Sequence, residues 1–272
     1  MIGEGAAVPV FTSLPAYRAA AAELPLSTRL TTTVGGSVAV VPGAGEWWKE
    51  AAEARRQSAA AIVVVDPVEA PASAVEMLHQ RCKGIPVIVE RPRLRSDVVA
   101  DARAGRAGIP ARVVMVECAS LDSEFEAVVR DAIGWARVFD GGSLRVRSVS
   151  ATPRSRMGLL ESASAAGALP IALSATTLAG REEGGLVRVL VLAEVLSSVT
   201  VDVPAGLMCV ENSTSEGTLR MSTRFEASAR LSLRRALEAL ASGEALADLE
   251  ELLHDSRLAA AFSRPIQGDG LE

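Results

Sequence analysis

Residues 60–92 read AAIVVVDPVEAPASAVEMLHQRCKGIPVIVERP, and this stretch decides the fold. Two short β-branched runs, Ile62 to Val65 and Val87 to Val89, flank a segment with helical periodicity around Ala72 to Lys83. A strand, a helix and a second strand in that order signal a βαβ unit and a parallel sheet. Both runs are almost wholly apolar, as expected of strands covered on both faces.

The pattern extends outward in both directions. Upstream, Val38 to Val41 predicts a strand and Glu46 to Ser58 a helix; downstream, Ser96 to Ala104 predicts a helix and Val113 to Val116 a strand. Near the start, Val8 to Phe11 reads as a short strand and Leu14 to Glu23 as an Ala-rich helix, while Leu26 to Gly36 has no clear period. A helix over about 122–139 runs into Gly141-Gly142, and beyond it apolar and polar residues alternate. Leu144 and Val146 oppose Arg145 and Arg147, Val199, Val201 and Val203 oppose Thr200 and Asp202, and Leu219 and Met221 oppose Thr218 and Arg220. Strict alternation predicts an antiparallel sheet with one face on a core and one open. Thr223 to Glu226 has the form of a capping box for a helix through Ser242 stopped by Gly243, and a last helix follows over about 245–262. The fold class expected is α/β: a Rossmann-like, mostly parallel domain over residues 1–118, then an α+β domain with a mostly antiparallel, open-faced sheet over residues 119–272.

Composition narrows the class of function. The chain has 272 residues, 49% of them hydrophobic but only 3% aromatic, so its cores are aliphatic. A net charge of −5 gives no field for nucleic acid. Cys82, Cys118 and Cys209 are odd in number and widely spaced, which fits a reducing, cytoplasmic setting. No segment is long and apolar enough to span a membrane, and Met1 to Val10 lacks a basic leader pattern.

The order strand, Asp66-Pro67, helix, Gly84, strand, Glu90-Arg91-Pro92 resembles the Gfo/Idh/MocA oxidoreductases, in which the second strand closes with Glu-Lys-Pro. Residues 112–150 resemble that family's passage into its second domain, and Phe225 to Gly243 resembles its late helix. The resemblance implies a nicotinamide cofactor, a sugar or polyol substrate, and an open sheet face that packs against a partner chain. It also implies that the usual first βαβ unit is largely lost or replaced by residues 1–36, a divergent and N-terminally reduced form.

The residues depart from what that chemistry needs. A dinucleotide fingerprint places glycines where backbone meets pyrophosphate, and the only candidate is Gly43-Ala44-Gly45-Glu46-Trp47-Trp48. Trp48 stands at the third glycine position, and Glu46 puts a negative charge where phosphates would sit. Asp66 follows at about the twenty-residue interval of a ribose-binding acid. Gly43, Gly45 and Asp66 are the candidate cofactor contacts. Arg91 stands at the place of the family lysine; a guanidinium can hold an anion but cannot exchange a proton near neutrality. The family's later Asp and His, at helical spacing, have no counterpart in Gly184 to Glu194. No catalytic residue is therefore assigned. Glu90, Arg91 and Pro92 are the candidate ligand contacts, for a small anionic or sugar-like molecule at the carboxyl edge of the sheet.

No metal site is expected. His79 and Cys82 lack a third ligand, and His254-Asp255 reads as a solvated pair at a helix end. The arginines at 91, 93 and 95 read as a solvated face, as do those at 145, 147, 154 and 156. Three functions remain open: a degenerate oxidoreductase-like protein that binds a ligand or partners another subunit, with no or weak NAD(P) binding; an active NAD(P)-dependent oxidoreductase on a sugar or polyol; and a structural subunit of a hetero-oligomer. A homo-dimer or hetero-oligomer through the second sheet is expected, at Arg145, Arg147, Thr200 and Arg220.

Overall fold

The computed structural model describes residues 7–106, 108–162, 169–178 and 185–264. Its chain divides into two compact units, one of Met1–Pro92 with Phe225–Leu253, the other of Arg93–Arg224 with His254–Glu272.

The first unit holds a five-stranded parallel sheet of order β2-β1-β3-β4-β5: β1 Val8–Phe11, β2 Thr28–Thr31, β3 Val38–Pro42, β4 Ala61–Val65 and β5 Val87–Glu90. Alternate residues of the apolar strands serve opposite layers. Val10, Val38, Val40, Val63 and Ile88 pack on Tyr17 and Ala20 of α1 (Pro15–Ala22) and on Leu233 and Ala236 of a late helix, α6 (Ser228–Ser242). Ala39, Val41, Ile62, Val64, Val87 and Val89 pack on α2 (Trp47–Arg56), α3 (Ala72–Arg81) and Leu249, Leu252 and Leu253 of α7 (Asp248–Ser263).

In the second unit α4 (Ser96–Ala104) and α5 (Phe125–Asp140) accompany an eight-stranded sheet of order β13-β12-β11-β10-β6-β9-β8-β7. Its strands are β6 Val113–Ser120, β7 Leu144–Ala151, β8 Ser155–Ser162, β9 Pro170–Thr177, β10 Leu186–Leu192, β11 Leu196–Asp202, β12 Leu207–Thr214 and β13 Gly217–Arg220. Every pairing is antiparallel except β6 with β9. One face packs on Val128, Ile133 and Trp135 of α5 and on Ala259 and Phe262 of α7. Among the described residues no helix is long and apolar enough to cross a membrane.

The α/β class and the change from parallel to antiparallel pairing agree with the sequence reading. Its details differ in four places. The segment without a clear period contains β2, whose four residues are too few to show alternation. The chain crosses between units at Pro92, not at residue 118, and β6 lies in the second sheet between β9 and β10. Helix α6 belongs to the first unit and starts at Ser228 with Ala227 as its N-cap and no side-chain cap, so Thr223 to Glu226 is not a capping box. The carboxylate of Glu226 is engaged by Arg234 instead, at 3.0 Å. Gly243, at φ 69°, does end the helix. The tail after Pro265 lies outside the described residues.

Candidate functional site

In an open parallel sheet, ligands bind outside the carboxyl ends of the strands where the winding reverses. Here α1 carries the chain from β1 to β2 on one side, while α2 carries it from β3 to β4 on the other. The reversal lies between β1 and β3, so two loops flank it: Thr12 to Leu14 after β1, and Gly43 to Glu46 after β3.

The first loop has no glycine. Its Leu14 N–H donates to Thr12 Oγ1 at 3.1 Å, and Pro15, which has no N–H, opens α1. The sequence does not point to this loop, because the family resemblance implies that residues 1–36 replace the unit that flanks the crevice. The segment contains a parallel βαβ unit, β1-α1-β2.

The second loop holds two of the candidate cofactor contacts. Gly43 donates its N–H to Val65 O at 2.8 Å and accepts from Val68 N–H at 2.8 Å. A Cβ at Gly43 would stand 2.2 Å from Val65 O and 2.5 Å from the Cα of Pro67. Glycine is therefore required here by the turn after β4, which lies against it. Gly45 is required by its positive φ of 58°, with nothing within 4 Å of where its Cβ would be. Trp47, rather than Trp48, turns inward: it is 1% exposed and its indole N–H donates to Val68 O at 3.1 Å. Trp48 is only partly buried, on the outer side of the same helix beside Met77 and Leu78 of α3, so it does not crowd the Gly43 turn as the sequence suggested. Glu46, the N-cap residue of α2, pairs with Lys49 at 2.6 Å.

Asp66 adopts φ 44°, a rare conformation for a residue with a Cβ, and its N–H donates to Glu90 O at 2.9 Å. Gly43, Asp66 and Glu90 are thus linked through backbone along the carboxyl edge. The Glu90 side chain turns to the α1 side, where the hydroxyl of Tyr17 donates to it. Burial of Tyr17, followed by the charge of Glu90, pushes that hydroxyl far above the ordinary tyrosine range, so it remains a donor at any working pH. Tyr17 is a site residue that sequence reading missed, since an aromatic inside an Ala-rich helix looks like core.

Arg91 is 6% exposed, and Arg93 and Arg95 are 6% and 8% exposed, so this run is not a solvated face. In the second unit Arg93 meets Glu124 at 3.2 Å and Asp131 at 3.7 Å, and Arg95 meets Asp97 at 2.7 Å. Asp255 is fully buried and held by Arg137 at 2.9 Å, while His254 Nε2 accepts from Leu144 N–H at 3.2 Å. That pair is internal scaffolding, not a solvated helix end. Residues 185–194 include strand β10, so side chains there alternate and cannot present a pair at helical spacing; Gly184 lies outside the described residues.

No family model matches this sequence, and no curated protein matches it. Solved structures do match. The UDP-N-acetylglucosamine 3-dehydrogenase GnnA from Acidithiobacillus ferrooxidans superposes with a TM-score of 0.65 at 13% identity, over 94% of this chain and 88% of its own. The fold is that of the Gfo/Idh/MocA-like enzymes. A dehydrogenase, MviM, from Clostridium difficile superposes with a TM-score of 0.66 at 12% identity, covering 93% of this chain and 88% of that one. A 3-ketoreductase from Actinomadura kijaniata, solved with TDP-benzene and NADP, does so with a TM-score of 0.64 at 14% identity, covering 95% and 96%.

Proposed function

We propose that this chain is an oxidoreductase-like protein of Gfo/Idh/MocA type whose crevice no longer serves ordinary nicotinamide hydride transfer, and that it acts as a ligand-binding or partner subunit. The observation that carries this reading is the Gly43 turn. A pyrophosphate needs free backbone N–H groups and an uncrowded approach at a helix N-terminus. The N–H of Gly43 is spent on Val65, and the backbone of residues 65–67 closes directly against the α-carbon of Gly43. Glu46 adds a negative charge at the N-terminus of α2. On the other side of the crevice, Pro15 and the bonded Leu14 remove donors from the start of α1. The residues present do not fit the dinucleotide, and Arg91 supplies no proton-exchanging group in place of a lysine.

Glu90, Arg91 and Pro92 remain the contacts for a small anionic or sugar-like ligand at the same edge. Calorimetry of the purified chain with NAD(H) and NADP(H) tests the reading: no saturable heat is expected at micromolar cofactor. A dissociation constant in the low micromolar range would restore the active-enzyme alternative, which the NADP bound in the Actinomadura structure favours.

The partner surface is the open face of the second sheet. Registered pairs align Leu159, Ala172, Met115 and Leu190 in one row across four strands. The next row is Met157, Ser174, Glu117, Arg188, Thr200 and Cys209. Met157 is 63% and Leu159 50% exposed. Arg145 and Arg147 reach Glu161, and Arg220 reaches Glu211, beside these rows. An apolar stripe with a charged margin is the anatomy of a subunit interface, here for a second copy of the chain.

A further inference from the structure

A cavity of about 440 Å³ opens in the first unit at the amino ends of β4 and β5, the opposite end of the sheet from Gly43. That volume falls within the range of small-molecule sites, about 300 to 1,000 Å³. Its floor is aliphatic, formed by Ile85, Val87, Leu240 and Leu249. The buried Cys82 belongs to the same apolar wall, its thiol pushed up to about 11 by burial despite the nearby Arg55, and so neutral.

The rim is polar and divided by sign. On one wall, α3 ends and presents His79 and then Lys83. On the other, α6 ends at Gly243 with no basic residue in its last turn, and Glu244 follows directly. A helix C-terminus carries partial negative charge and is ordinarily balanced by a cation; here it is reinforced by an anion. Among the described residues Lys83 and Glu244 make no ion pair, with each other or with any other group. The His79 side chain likewise has no hydrogen-bond partner among them. An apolar slot with a cationic group on one lip and an anionic group on the other complements a small zwitterion that carries an apolar side chain.

We propose that this cavity binds an apolar α-amino acid of about leucine's size. Its carboxylate meets the Lys83 ammonium beside His79. Its ammonium group meets the Glu244 carboxylate and the carbonyl end of α6. Its side chain lies against Ile85, Val87, Leu240 and Leu249. Each charged contact is made at the mouth of a partly enclosed slot, so removing one weakens binding roughly tenfold.

The test is calorimetry and thermal denaturation of the full chain with leucine, isocaproate (no ammonium), isoamylamine (no carboxylate) and glycine (no side chain). Saturable leucine binding is expected, with isocaproate and isoamylamine each about tenfold weaker and glycine silent. Lys83 and Glu244 are exposed, so Lys83→Met and Glu244→Gln should melt like the wild type without ligand. Each should weaken leucine about tenfold, Lys83→Met leaving isoamylamine unchanged and Glu244→Gln leaving isocaproate unchanged. The proposal is overturned by the absence of a saturable response at millimolar leucine, by isocaproate or isoamylamine binding as tightly as leucine, or by equal leucine affinity in both variants and the wild type.

Discussion

A glycine can be needed for what it leaves room for or for the backbone angle it allows, and Gly43 and Gly45 divide these needs between them. Gly43→Ala forces a Cβ onto the β4 backbone at 2.2 Å, where no flexible side chain can give way. A loss of about 3 kcal/mol is expected from urea unfolding. Gly45→Ala meets open space and should cost about 1 to 2 kcal/mol, the strain of a left-handed φ. Equal costs would mean that the Gly43 turn is not closed by residues 65–67. Asp97 gives a second expectation. Burial alone would raise its carboxyl, but the hydrogen bonds and charge of Arg95, with the Val98 N–H at 2.9 Å, outweigh burial and hold it below the usual range. A carboxylate depressed by folding stabilises above its unfolded pKa, and that contribution is lost as pH falls through the lower folded value. Asp97→Asn should therefore destabilise by about 1 to 2 kcal/mol at neutral pH, with the gap closing in acid. A gap that persists at low pH counts against the pairing. At this scale the sequence was least legible. Arg91, Arg93 and Arg95 look like a solvated run because a linear spacing says nothing of which carboxylates other elements bring to it, and Asp131 arrives from α5 and Glu124 from the turn that precedes that helix.

Elements were legible wherever their period was long or their faces unmixed. Strands β3, β4 and β5 are apolar on both sides and carry the parallel signal, and α5 has enough turns to show its buried stripe. The strands β8, β9 and β12 are not legible in the sequence, because Ser, Thr and Ala stand on both of their faces, and β10 falls where the resemblance implies a pair at helical spacing. Capping was misread at α6 for a related reason: a four-residue pattern fits a helix start only if the helix begins there, and this one begins at Ser228. Thr223→Ala should consequently change stability by less than about 0.5 kcal/mol. Ala227→Asp, which places a carboxylate at the actual N-cap, should add about 1 kcal/mol. Chemical denaturation of both variants distinguishes the two registers, and a loss near 1 kcal/mol in the Thr223 variant would reinstate the capping box.

For the whole molecule, the open sheet face gives the most direct expectation. Light scattering should report a dimer at micromolar concentration. Leu159→Glu, at the β8 end of the apolar row and on a strand whose other side is already packed, should dissociate it without lowering the melting temperature of the monomer. A wild-type monomer at that concentration would remove this face as a partner surface. The division of the chain into units carries a different consequence, for biosynthesis. The parallel sheet is translated first, yet Leu233 and Ala236, which cover one of its faces, and Leu249 and Leu252, which cover the other, are translated after the whole of the eight-stranded sheet. As the polypeptide leaves the ribosome, the first unit to emerge is the last that can close. Its bare valine strands must wait through the synthesis of more than a hundred intervening residues, Arg93 to Arg224, and a nascent chain in that interval is a natural client for chaperones that shield exposed strand surface.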